Sequence, residues 1–286
     1  MTISGTKIPV AQTAADMRQT LAGWRNGGGR IALVPTMGAL HEGHLALVRA
    51  ARTRADQVVV SVFVNPAQFA PHEDFARYPR DLDKDRAMLE RQGVADLIYA
   101  PDVEQIYPKG FATKLIVEGP ALGLESDFRP HFFSGVAMAV AKLFLQTKAD
   151  FAMFGEKDYQ QLLVVTRLAK DLDLGLEIVG VPTVREADGL ALSSRNAYLN
   201  SDQRRIAGQL NRVLRDVRGR AIAGVSIPQA EAEGAAQLLE GGFDRVDYVA
   251  IRDAATLAQL RDVSAPARVL AAARVGSVRL IDNMAI

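Results

Sequence analysis

The chain has 286 residues, 49% of them hydrophobic and 23% charged, which is comfortable for two domains with sizeable cores and usual for a globular protein. Its 34 Lys and Arg against 33 Asp and Glu leave a net charge of +1, so no global basic excess marks a nucleic-acid binder. There is no cysteine, which excludes disulfides, thiolate catalysis and cysteine-ligated zinc. Residues 1–7 lack the apolar centre of a secretory signal, and no apolar run approaches the roughly 18 residues that span a bilayer, so a cytoplasmic location is the expectation.

Taken in chain order, residues 13–25 read as a helix capped by Thr13 and stopped by the Gly27–Gly29 run. Strand-like runs follow at 31–34, 58–64, 97–100, 151–154 and 176–181, with helical patterns at about 43–54, 81–92, 135–147 and 157–172 between most of them. Short β-rich runs with few polar positions, spaced by helices, indicate a doubly wound α/β domain whose parallel sheet is covered on both faces. Residues 113–117 suggest an additional strand, and 120–133 a functional loop or flap. Past about residue 184 the rhythm changes: helices near 201–222 and 228–240 precede strands at 246–251, 269–273 and 278–281. That order predicts a smaller α+β C-terminal domain with an antiparallel sheet, dividing the chain into 1–183 and 184–286.

In an open parallel sheet, ligands bind beyond the carboxyl ends of the strands. Polar clusters follow four of the predicted strands: Met37-Gly-Ala-Leu-His-Glu-Gly-His44, Asn65-Pro-Ala-Gln68, Gly155-Glu-Lys-Asp158 and Val184-Arg-Glu-Ala-Asp-Gly189. In the first, Gly43 admits a ligand to a helix start whose open N–H groups attract anions, and His44 and His41 add ring N–H donors. The competing readings are histidines that only cap or pack, and a zinc site; zinc is short of ligands, since only His72 and His131 remain. In Gly155–Asp158, Lys157 offers a mobile cation and Asp158 a helix cap, against the plainer reading of a solvated first turn. Gln161 lies one turn on and faces the crevice in this reading, while Tyr159 and Gln160 point elsewhere.

Leu192-Ser-Ser-Arg-Asn196 gathers two hydroxyls and a guanidinium with no acid, which suits a polyphosphate, although a helix cap with a surface arginine fits the segment alone equally well. Among the acids of 81–85, Asp85 can carry a metal-bound water, but an acidic helix start is the simpler account. No Gly-x-x-x-x-Gly-Lys-Ser/Thr loop occurs, and Gly27–Ala32 precedes its strand where a dinucleotide fingerprint must follow one.

Met37–His44 resembles the His-x-Gly-His signature of the nucleotidyltransferase superfamily related to class I aminoacyl-tRNA synthetases, and Leu192–Arg195 its second phosphate loop. With Pro35–His41, Phe63–Phe69, Tyr78-Pro-Arg80, Phe154–Gln161 and Asp188–Asn196, the chain resembles the pantoate–β-alanine ligase family from about residue 8 to the Leu280-Ile-Asp-Asn283 ending. The resemblance implies a Rossmann-like fold, magnesium, a homodimer, and ATP-dependent condensation of (R)-pantoate with β-alanine to pantothenate, AMP and pyrophosphate through a pantoyl adenylate. It assigns Met37, Gly38, Ala39, Leu40, His41, Glu42, Gly43 and His44 to ATP, with His44 as proton donor. It assigns Gly155, Glu156, Lys157, Asp158, Val184, Leu192, Ser193, Ser194 and Arg195 to the same nucleotide. Gln68 and Gln161 fall to pantoate, with Gln68 also near β-alanine, and Arg129 serves the site. The family's Arg-Pro-x-His-Phe-x-Gly-Val is replaced here by Arg129-Pro-His-Phe-Phe-Ser-Gly-Val136, which shifts the histidine by one place to His131.

No residue suggests a covalent intermediate, so His44, His41, Lys157, Ser193, Ser194 and Arg195 are expected to align and neutralise phosphate while the pantoate carboxylate attacks the α-phosphorus. The reactive adenylate requires shielding from water, for which 120–133 and the C-terminal domain are the candidate lids. Two other readings remain: transfer of AMP to a phosphate-bearing acceptor, which calls for further cations, and a nucleotide-binding module without turnover.

Overall fold

The computed structural model describes residues 7–71 and 73–286, so His72 and the 1–6 end lie outside the described residues. It forms two compact units. The first contains residues up to Val117 together with Arg129–Gly155 and Val164–Val181. The second contains Glu118–Phe128, Glu156–Leu163 and Pro182–Ile286.

The first unit is built on a six-stranded parallel sheet: β1 (Val10–Ala11), β2 (Ile31–Thr36), β3 (Gln57–Val62), β4 (Leu97–Tyr99), β5 (Phe151–Gly155) and β6 (Glu177–Val181). Its order is β1-β4-β3-β2-β5-β6, so the winding reverses between β2 and β5. A ligand crevice is expected outside the carboxyl ends of strands at such a reversal. Full burial of Ile31–Val34 and Val58–Val60 explains why these strands read as continuous apolar runs. The helices are α1 (Ala14–Asn26), α2 (Glu42–Arg52), α3 (Leu82–Gln92), the one-turn α4 (Val103–Ile106) and, after the one-turn α5 (Glu125–Phe128) of the second unit, α6 (Phe132–Thr147). Thr13 caps α1 through its side chain, and Gly27 closes it, as the sequence pattern implies.

Three local differences have physical causes. The two-residue β1 is too short to show a period, and pairing with β4 alone makes it a strand. Residues 113–117 form no strand; Leu115 is held through its carbonyl, which accepts from Ser134 Oγ at 2.7 Å. The 201–222 helix is two, α8 (Ser201–Ala207) and α9 (Gln209–Ile222), interrupted at Gly208, a poor helix former held there because a Cβ would stand 2.4 Å from Asp188 Oδ2.

The second unit has a three-stranded antiparallel sheet, β7 (Arg245–Asp253), β8 (Ala267–Val275) and β9 (Val278–Ala285), with α9 and α10 (Ile227–Glu240) packed on it. A core including Leu210, Leu214, Leu238, Ile251 and Val269 closes that layer. Two segments that precede residue 184 belong to this unit. Glu125, 5% exposed, accepts from both Nη1 and Nη2 of Arg279 at 2.8 Å and from Tyr248 Oη, which draws 118–128 in. Burial, and then the Glu125 charge, hold the Tyr248 phenol far above its ordinary value. Gln160 completes the attachment, accepting from Glu125 N and donating to the carbonyls of Pro120 and Gly123. Its side chain is thus committed to main-chain groups of 120–125. The proposed 120–133 flap is therefore not one element: 118–128 packs in the second unit and 129–133 in the first.

In α6, a Cβ on Gly135 would sit 2.3 Å from the carbonyl oxygen of Ala67, which is backbone and cannot give way. Gly135→Ala should therefore destabilise the protein by about 1–3 kcal/mol, the usual cost of overpacking. Urea unfolding at equilibrium measures it, and a loss under about 0.5 kcal/mol, the range of an ordinary surface change, would refute the close approach.

Candidate active site

β2 leads into the loop that the sequence singled out. Thr36 Oγ1 donates to Ser61 O at 2.7 Å and accepts from Gly38 N at 3.1 Å, which ties the strand end to β3. Gly38 (φ 78°) and Ala39 (φ 51°) then take left-handed backbone. A side chain at 38 would also lie 2.9 Å from Asp85 Oδ2, so glycine is required there for conformation and for space. The turned loop presents two N–H groups to one carboxylate: Ala39 N donates to Asp85 Oδ2 at 3.0 Å and Leu40 N to Asp85 Oδ1 at 2.8 Å. Asp85 is 3% exposed. Burial pushes its carboxyl above the ordinary value, and the two amide bonds oppose that shift.

Asp85 fits the simpler reading, an acidic helix start, and has a second part in the loop. Asp81 caps α3 by accepting from Lys84 N, and Asp83 and Asp85 both lie in its first turn. Asp85 turns inward, with each of its oxygens accepting one main-chain N–H. No group of three His, Asp or Glu suited to a metal ion occurs among the described residues.

His41 is the N-cap of α2 and His44 its third residue. His41 Nδ1 accepts from Gly43 N at 3.1 Å, and His44 Nδ1 accepts from His41 N at 3.3 Å, a reciprocal capping box made from two imidazoles. The ring centroids are 4.1 Å apart. The capping reading and the phosphate reading are thus compatible. Accepting at Nδ1 leaves the proton of each neutral ring on Nε2, so the cap sets the tautomer of two donors. One detail differs from the sequence argument: the Gly43 N–H offered to an anion is spent on His41.

β3 is followed by the 66–68 turn that carries Gln68, and a buried Asn65 organises it. Asn65 Oδ1 accepts from Tyr107 Oη (2.8 Å) and Ala67 N (3.2 Å), while Nδ2 donates to Gly135 O (3.0 Å) and Gln68 Oε1 (3.1 Å). Gln68 Nε2 in turn donates to Met37 Sδ at 2.8 Å, which links this turn to the β2 loop. Arg129 does not stand open for substrate. Its Nε and Nη2 pair with Glu73 (2.7 and 2.9 Å), Nη2 also reaches Gln68 O (3.1 Å), and its guanidinium lies 3.9 Å over the Phe132 ring. Glu73 and Asn65 were missed as organisers; an Asn-Pro pair at a strand end was the one signal for the latter. His131, at the start of α6, has a buried Nε2 with no hydrogen-bond partner, so it is not the solvent-facing group that a simple displacement suggests.

Gly155 ends β5 in the first unit. In the second unit, Glu156–Asp158 form a single 3₁₀ turn and α7 starts at Tyr159, so Asp158 is a member of the turn and not the cap expected of it. Lys157 Nζ lies 3.5 Å from Asp158 Oδ2. Gln161 follows on α7 (Tyr159–Asp171), half-buried. Leu192 N donates to Val184 O at 3.0 Å, which brings those two nucleotide candidates together. Ser193 caps the 194–198 turn by accepting from Arg195 N at 3.3 Å, so the cap reading of that serine also holds.

A doubly wound sheet whose reversal edge carries a glycine loop and a histidine-capped helix defines a nucleotide-binding α/β protein. The chain belongs to the pantoate-beta-alanine ligase family, whose profile matches residues 9–285. It is 55% identical to a pantothenate synthetase of Bradyrhizobium sp. over 279 residues, 97% of this chain and 98% of that protein. Among solved structures, the pantothenate synthetase of Thermus thermophilus superposes with a TM-score of 0.89 at 50% identity, covering 96% of this chain and 98% of that one. The pantoate-beta-alanine ligase of Francisella tularensis, described as complexed with beta-gamma ATP and beta-alanine, gives a TM-score of 0.81 at 32% identity, with 97% of each chain covered. No helix among the described residues is long and apolar enough to cross a membrane.

Asp85→Asn tests the loop buttress. An amide accepts through one oxygen only, so one of the two N–H groups loses its partner at a cost of about 1–3 kcal/mol. We expect a folded protein with a raised KM for ATP and a faster-exchanging Ala39–Leu40 backbone, followed by hydrogen exchange. Wild-type KM and exchange in this variant would remove Asp85 from the argument.

Proposed function

We propose that the protein joins (R)-pantoate to β-alanine at the expense of ATP, releasing AMP and pyrophosphate through a pantoyl adenylate. The observation that carries this reading is the imidazole capping box of His41 and His44 on a loop held by Asp85, in a chain of the pantoate-beta-alanine ligase family. The capped rings offer Nε2–H donors where charge grows on the phosphates, and preorganised donors of that kind stabilise the transition state most. His44 acts as the proton donor, with Met37–Gly43 shaping the loop. Gly155, Glu156, Lys157, Asp158, Val184 and Leu192–Arg195 serve the nucleotide, Lys157 and Arg195 as cations and Ser193 and Ser194 as hydroxyl donors. Gln68 and Gln161 hold pantoate. Arg129 works through Gln68, whose carbonyl it grips. The neutral partners of the Gln68 side chain, an amide and a thioether, favour a hydroxylated carboxylic acid over a phosphate-bearing acceptor.

Magnesium is part of the proposal only as the companion of ATP. The donor set of the described residues does not form a protein cage for it, and magnesium commonly arrives on substrate phosphates. A homodimer and a cytoplasmic location complete the reading; light scattering of the purified protein tests the first.

The order of chemistry gives the decisive experiment. With pantoate, ATP and magnesium but no β-alanine, labelled pyrophosphate should exchange into ATP, and bound pantoyl adenylate should appear by mass spectrometry. Absence of both signals while the full reaction runs would replace the two-step reading with a concerted one. In the same assay His44→Ala should fold normally and exchange about 10²- to 10³-fold more slowly, the usual loss for one transition-state donor. Near-wild-type exchange by that variant would show that His44 only caps α2.

A further inference from the structure

The Asp282-Asn283 pair near the end of β9 has no role in the chemistry above, yet both residues are buried, at 3% and 4% exposure. Every polar group of the Asn283 side chain is used. Nδ2 donates to the carbonyls of Glu156 and Lys157, each at 2.8 Å, and Oδ1 accepts from Arg268 Nη1. Arg268 also reaches Glu156 Oε2 at 3.2 Å and lies 3.7 Å over the Tyr159 ring, so the 156–159 turn is gripped by main chain and side chain together. Asp282 fixes the other segment. It takes Arg185 in a fork, Nη1 to Oδ2 at 2.6 Å and Nη2 to Oδ1 at 2.8 Å, with Asn211 Nδ2 adding a third bond at 3.2 Å. Arg185 follows Val184 directly and donates to Gly189 O, inside the loop that leads to Leu192–Arg195. The pair is closed on itself, since Asn283 N donates to Asp282 Oδ1 at 2.7 Å.

We propose that Asn283 is a positioning residue for the nucleotide chemistry: it sets the main chain from which Lys157 reaches ATP, while Asp282 holds Asn283 and Arg185 in register. A 3₁₀ turn of three residues has little hydrogen bonding of its own, and two consecutive carbonyls on one amide remove its freedom to rotate. This inference rests on the reading of Lys157 as an ATP-binding cation.

Asn283→Asp keeps the shape but faces the two carbonyls with an acceptor. Melting and circular dichroism establish whether it folds, and Asn283→Ala replaces it if it does not. In AMP release with pantoate and β-alanine, the folded variant should lose about tenfold or more in kcat/KM for ATP. A merely structural residue would cost the same with or without Lys157. A positioning residue acting through Lys157 should cost less than about threefold in a Lys157→Ala background, because coupled sites are not additive. Wild-type kcat/KM in the folded variant, an equal loss in both backgrounds, or failure of both variants to fold would each overturn the inference. Wild type that releases no AMP overturns the functional reading instead; ATP binding by calorimetry then decides Asn283 by the same two-background comparison. Wild type that also fails to bind ATP overturns both.

Discussion

Two main-chain N–H groups converging on one buried carboxylate underlie the loop that carries the histidine pair. Ala39 and Leu40 can both point at Asp85 only because Gly38 and Ala39 turn through left-handed backbone, and that turn aims the chain into α2. The arrangement strains the backbone at Ala39 and buries a charge, both of which oppose folding. It persists because the carboxylate satisfies both amides. The loop geometry then decides where the imidazoles of His41 and His44 stand.

The same economy recurs around Gln68 and in the second unit. Asn65 spends all its hydrogen-bonding capacity on Tyr107, Gly135, Ala67 and Gln68, and Asn283 commits both donors and its oxygen to Glu156, Lys157 and Arg268. Each is a buried amide that offers donors and an acceptor from one planar group, which lets it join a turn to a neighbouring element. A buried polar group so satisfied is stabilising and directional, whereas one lost partner is costly.

Histidine shows why capping and chemistry need not be alternatives. An N-cap requires an acceptor beside the helix start, and Nδ1 provides it while committing the ring proton to the far nitrogen. Serine or aspartate would cap as well but would leave no such oriented donor. The structural and the chemical readings of the pair were opposed only as long as one nitrogen was counted.

The sequence by itself determined the parallel sheet, the antiparallel C-terminal sheet and most helix limits, because apolar periodicity and caps such as Thr13 are local. It also located the Met37–His44, Asn65–Gln68, Gly155–Asp158 and Leu192–Arg195 clusters, since a strand giving way to a helix is visible in a window of ten residues. Tertiary structure alone decided the partners. Asp85 meets Ala39 across 46 positions and Asn283 meets Lys157 across 126, and no local pattern marks such pairs. It also moved 118–128 and 156–163 into the second unit, where Glu125 finds Arg279. A buried charge declares its type in the sequence, but what neutralises it depends on which distant element folds against it.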